Sequence, residues 1–73
     1  MEFKWNTMYQ MKSNNNDAGC VGCIMRCVSV NPPIGRVIYA PYEACYRKPC
    51  RILVDEIWVE LSEEQAMEAM LGG

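Results

Sequence analysis

The chain has 73 residues, 51% of them hydrophobic, with five cysteines, no histidine and a net charge of −2. That length holds one domain, spanning 1–73, and excludes a large core, since so short a chain buries only roughly 60% of the surface its unfolded form exposes. Such scaffolds usually lean on disulfides, a metal or a partner subunit.

The longest nearly uncharged stretches, such as residues 28–35, fall far short of the ~20 apolar residues that a membrane helix needs. The first residues, Met1-Glu2-Phe3-Lys4-Trp5-Asn6, lack the apolar run and small-residue cleavage site of a signal peptide. The expectation is a cytoplasmic protein of a reducing compartment with no membrane partner, its cysteines kept as thiolates.

Residues 2–12 read as a first strand, with Phe3, Trp5, Thr7 and Tyr9 alternating against Glu2, Lys4, Asn6 and Met8. The polar run 13–19 reads as a loop that delivers the chain to Cys20. Residues 24–30 read as a second strand. Asn31-Pro32-Pro33-Ile34-Gly35 reads as a turn in which Gly35 is free to take a positive φ, and residues 36–40 complete a hairpin as the third strand. Tyr42-Glu43-Ala44-Cys45-Tyr46 fits one helical turn opened by Pro41 or an irregular loop. Residues 51–60 read as the longest strand, with Leu53, Ile57, Val59 and Leu61 on one face and Asp55 marking a bulge or a sheet edge.

The last element is a helix opened by Ser62-Glu63-Glu64-Gln65, a capping box in which hydroxyl and amide satisfy each other's backbone groups. Leu61 is placed to staple onto Ala66, acids occupy the first turn, and Ala66, Met67, Met70 and Leu71 form the expected apolar stripe, with Gly72 suited to the C′ position. The fold class expected is α+β: an antiparallel sheet of three or four strands and one C-terminal helix.

The cysteines fall as Cys20-x2-Cys23-x3-Cys27 and then Cys45-x4-Cys50. Two close pairs separated by a hairpin are the usual makings of a structural zinc site, each pair on a tight turn and the two turns meeting as a tetrahedron of sulfurs. Cys20, Cys23, Cys45 and Cys50 are therefore the expected ligands, with zinc as the cofactor stapling the fold. Disulfides or an iron–sulfur cluster are the alternatives. Cys27 reads as a small buried apolar residue of the second strand, or else as an alternate ligand.

Charge is unevenly spread. Between Cys20 and Val54, Arg26, Arg36, Arg47, Lys48 and Arg51 face one acid, Glu43, whereas the segment from Asp55 onward carries six acids and no base. The basic set, with Tyr39, Tyr42 and Tyr46 among it, suits phosphate contacts and base stacking, although the net negative charge opposes nucleic-acid binding. Without histidine, and with no nucleophile beside an obvious base, no catalytic site is legible. The function expected is a non-catalytic protein-binding module on a zinc scaffold, an adaptor or an inhibitor of a larger machine. The alternatives are a zinc-ribbon-like nucleic-acid binder using the five basic residues, and a thiol or metal redox switch built on Cys27.

Overall fold

The computed structural model describes residues 2–14, 21–41, 50–53 and 56–72. They form five strands and one helix: β1 (Met8–Asn14), β2 (Ile24–Val30), β3 (Pro33–Tyr39), β4 (Cys50–Ile52), β5 (Glu56–Leu61) and α1 (Glu63–Gly72). All neighbouring strands are antiparallel, in the order β4-β3-β2-β1-β5. The α+β class and the C-terminal helix hold. The strand count is five rather than three or four, because the segment expected as one strand over 51–60 is two strands lying at opposite edges of the sheet.

That arrangement forces curvature. From Ile52 to Glu56 the chain takes four Cα steps, a reach of at most ~15 Å. Five flat strands would hold their outer members ~19 Å apart. The sheet therefore curls, bringing the end of β4 and the start of β5 within that reach, and it has an inner and an outer face.

The inner face carries the larger core: Tyr9, Met11, Cys23, Met25, Cys27, Leu53 and Trp58, with Phe3, Val37 and Ala40 packed against it. The outer face carries a smaller cluster of Met8, Ile24 and Ala66, joined by Ile38, Tyr39, Leu61, Ala69 and Met70. Alternate residues of β1 and β2 thus feed different cores. Met8 and Ile24 go outward to the helix and Tyr9 and Met25 go inward, which is why both strands read as nearly continuous apolar runs at those positions.

The N-terminal segment departs from its expected pairing. The strand begins at Met8, not residue 2, because Trp5 and Asn6 form a turn in which Asn6 takes a φ of 62°, a conformation asparagine tolerates better than most residues. The turn breaks the alternation. Phe3 folds over the inner core, edge-on to Tyr9 at 4.9 Å and to Trp58 at 6.4 Å, while Trp5 is left 70% exposed. The Lys4 amide donates to the Tyr9 hydroxyl at 2.9 Å, so the tyrosine's polar end is satisfied inside the fold.

The second strand matches its expected bounds. The turn after it is shorter than expected: Asn31 and Pro32, joined by a cis peptide, suffice, and β3 starts at Pro33. Gly35 lies within β3, buried and without a positive φ. It is glycine for lack of room, since a Cβ there would stand 2.8 Å from Leu53 Cδ2 and 3.1 Å from Met25 Cβ.

The helix begins as its sequence requires. The Gln65 amide donates to Ser62 Oγ at 3.1 Å, and the Ser62 amide donates to Gln65 Oε1 at 2.9 Å. Leu61 packs beside Ala66 in the outer cluster. The buried face differs from the expected stripe. Ala66, Ala69 and Met70 meet the sheet, whereas Met67 and Leu71, one helical face away, are 62% and 83% exposed. The helix continues through Gly72. The possible helical turn over Tyr42–Tyr46 and the acid at Asp55 lie outside the described residues.

Candidate functional site

Two of the four expected metal ligands, Cys20 and Cys45, lie outside the described residues; Cys23 and Cys50 lie within them. Cys23 follows a turn in which Gly22 takes a φ of 94° and its amide donates to the Met11 carbonyl at 2.8 Å. The Cys23 carbonyl in turn accepts from the Met11 amide at 2.9 Å, which seats the cysteine in the inner core, fully buried. Cys50 opens β4 at the far edge of the sheet, exposed, its backbone paired with Arg36. The intervening strand β3 separates β2 from β4, and the two cysteines belong to opposite faces. Among the described residues, no three His, Cys, Asp or Glu side chains stand close enough to hold a metal ion.

Cys27 is fully buried on the inner face, opposite Gly35, and its thiol donates to the Ser29 carbonyl at 3.1 Å. It fills space between strands as a small hydrophobe with a weak donor. With Cys23, Met25 and Met11 it makes one side of the inner core rich in sulfur.

The basic residues are divided by the pleat. Arg26 and Arg36 stand directly opposite each other on β2 and β3, on the outer face, with Cys50 next in the same row. Arg26 is also tied down, its Nη1 donating to the Asn6 carbonyl at 3.4 Å and to Asn6 Oδ1 at 3.2 Å. Arg51 pairs with Gly35 and so belongs to the other face. Arg47 and Lys48 lie outside the described residues. Of the three expected phosphate-binding residues that are described, Arg26, Arg36 and Arg51, the sheet thus brings two together.

A different surface stands out, one the sequence pattern reads as the apolar face of a strand. β5 forms one edge of the described sheet and runs six residues without proline or lysine. On its outer face Ile57 is 62% and Val59 40% exposed, and the helix that follows presents Met67 and Leu71 to solvent. On the inner face of the same strand, Trp58 is buried, yet its indole Nε1 has no hydrogen-bond partner among the described residues. Two residues on, Glu60 accepts an ion pair from Lys4 at 3.2 Å. The other edge, β4, is only three residues long. The signal for β5 was present in the sequence as alternation of Ile57, Val59 and Leu61. That alternation shows one apolar face but not whether the protein itself covers it.

A shallow cleft of about 340 Å³ lies between the N-terminal segment and the β2–β3 hairpin, lined by Glu2, Phe3, Val30 and Pro33. No described helix is long and apolar enough to cross a membrane. No protein family, no curated protein and no solved structure matches this chain.

Proposed function

We propose that this chain is a non-catalytic protein-binding module, an adaptor or inhibitor type of protein, that docks through the β5 edge and the helix face beside it. The observation that carries the reading is the exposure of Ile57 and Val59 on a strand at the edge of the described sheet. Such a strand offers unpaired backbone amides and carbonyls to an incoming strand, with apolar side chains alongside to reward the contact. Met67 and Leu71 extend the apolar surface onto the helix, and methionine suits adaptable contacts.

A photo-crosslinking residue placed at Ile57, with the same residue at exposed Asn31 in the β2–β3 turn as control, tests this in the native host. A protein adduct, with another protein or with a second copy of the chain, is expected at position 57 and not at 31. No adduct at 57 would overturn the reading.

A zinc staple on Cys20, Cys23, Cys45 and Cys50 is a separate proposal, supported by the spacing of the cysteines. Zinc–sulfur bonds of about 2.3 Å require all four sulfurs within roughly 4 Å of one another. Cys50 would have to leave the outer face of β4 and pass the edge of β3 to reach Cys23 in the inner core. Native mass spectrometry before and after a chelator decides it. One zinc per chain, with unfolding on its removal, supports the staple, and a metal-free chain with an unchanged melting curve removes it.

A further inference from the structure

We propose that the occupant of the β5 edge is a second copy of this chain, the two β5 strands pairing antiparallel about a twofold axis at Val59. This rests on the reading of β5 as the docking surface and names its partner.

The argument is one of register. In a continuous sheet, paired residues share a face, so a twofold pairing must centre on a residue rather than between two. Centred on Val59, the outer face reads Ile57 against Leu61, Val59 against Val59 and Leu61 against Ile57, an uninterrupted apolar row. The inner face reads Trp58 against Glu60 and Glu60 against Trp58. No like charges meet. Moving the centre to Trp58 sets residue 56 of one strand against Glu60 of the other, acid against acid, and moving it to Glu60 sets that acid against its own copy. Like charges directly opposite are unfavourable. Of the two registers that pair five of the strand's six residues, centred on Trp58 or on Val59, the Val59 register is the one that brings no like charges together.

Two further observations agree with that register. Trp58 Nε1 is buried and has no hydrogen-bond partner among the described residues, and the Val59 register brings the partner's Glu60 carboxylate, an acceptor, to the position opposite it. The irregularity in the β1–β5 ladder falls between Met11 and Ser13, on β1, so β5 itself carries no extra residue to spoil a second ladder. The same parity also matches hydrogen-bonding phase, since whichever alternate residues of β5 aim their amides outward meet the same set on the partner. The competing edge, β4, offers three described residues to β5's six.

Sedimentation of the purified full chain from micromolar to millimolar concentration tests the inference, with Val59→Lys as the variant. The wild type is expected to form a dimer. Val59→Lys, which places two ammonium groups on the twofold axis, is expected to weaken it at least about tenfold while melting as the wild type does. A second variant guards against misfolding of the first: Val59→Cys is expected to oxidise to a linked dimer. Opposed Cα atoms in such a pair lie about 4.5–5.5 Å apart, within disulfide reach, whereas Glu64→Cys on the helix is not expected to link. A wild type that stays monomeric throughout overturns the second copy as occupant. An adduct at position 57 with a different protein would then still stand for the docking surface. A dimer indifferent to Val59→Lys and not linked by Val59→Cys, or an assembly larger than a dimer, overturns the register.

Discussion

Gly35 of β3 lies beneath Leu53, so close that a Cβ on the glycine would stand 2.8 Å from Leu53 Cδ2. Leu53 is the residue that closes the inner core where the chain leaves β4, and it is 2% exposed. Gly35→Ala is expected to destabilise the fold by about 1–3 kcal/mol, the usual cost of overpacking. Leu53→Ala is expected to cost about 2–5 kcal/mol. Combining them should cost less than the sum, because removing the leucine makes room for the new methyl. Urea unfolding of the four proteins checks all three statements. Full additivity would show that the two residues do not share the space.

Arg26 and Arg36 oppose each other across the β2–β3 ladder, two like charges in neighbouring positions on the outer face. Replacing one by an acid converts repulsion to attraction. Arg36→Glu is expected to stabilise the fold by about 0.2–1 kcal/mol at low salt, with the gain shrinking as salt is raised. Arg26 is left in place because it also holds Asn6. A melting temperature lower than that of the wild type at low salt would contradict the expectation.

The capping box at Ser62 and Gln65 is reciprocal in the structure. Ser62→Ala is expected to cost about 1 kcal/mol, and Ser62→Asp, which restores an acceptor at the cap, to recover most of it. Chemical unfolding read by circular dichroism is the measurement. The helix meets the sheet through Ala66, Ala69 and Met70 only, so loss of the cap should show as early melting of the helical signal ahead of the tryptophan signal.

The cysteines should separate by accessibility. Cys50 is exposed, while Cys23 and Cys27 are fully buried. With a thiol-alkylating reagent under native conditions, Cys50 is expected to react at least about a hundredfold faster than Cys23 or Cys27, which become reachable only when the sheet opens. Peptide mapping over time gives the rates. Rapid labelling of Cys27 in the native protein would instead revive it as a redox-responsive thiol.

The sequence carried the parts of the fold that local chemistry decides. Ser62 and Gln65 announce the helix start because a capping box needs only four consecutive residues, and β2 was legible end to end because Asn31-Pro32 stops it. The first strand was misjudged at its start because Asn6 reverses the chain, a choice that competes with the alternation of aromatics and leaves no mark in it. Leu53, Ile57 and Val59 read as one apolar face, yet Leu53 closes the inner core and the other two face outward from the opposite edge of the sheet. Periodicity reports which residues share a side of a strand; it does not report that the strand breaks after Ile52 and that its halves part company. For the same reason Met67 and Leu71 looked like core. A helix that docks through two small residues and one methionine leaves the rest of its apolar side exposed. The zinc expectation rests on the spacing of four cysteines, of which the described Cys23 and Cys50 fall on different faces.

β1 lies in the interior of the sheet, yet one of its two ladders is closed by β5, the last strand to be made. While the ribosome is still adding residues before Glu56, β2 is the described strand available to β1. Tyr9 and Met11 then wait without Trp58 beside them, and the backbone groups that will bond to β5 face water. A nascent chain at that stage is therefore sticky on one flank, and the folded form becomes available only once β5 itself has left the exit tunnel. Premature termination within β5 would leave a species with the inner sulfur-rich layer open along that flank, prone to capture by chaperones or by its own kind.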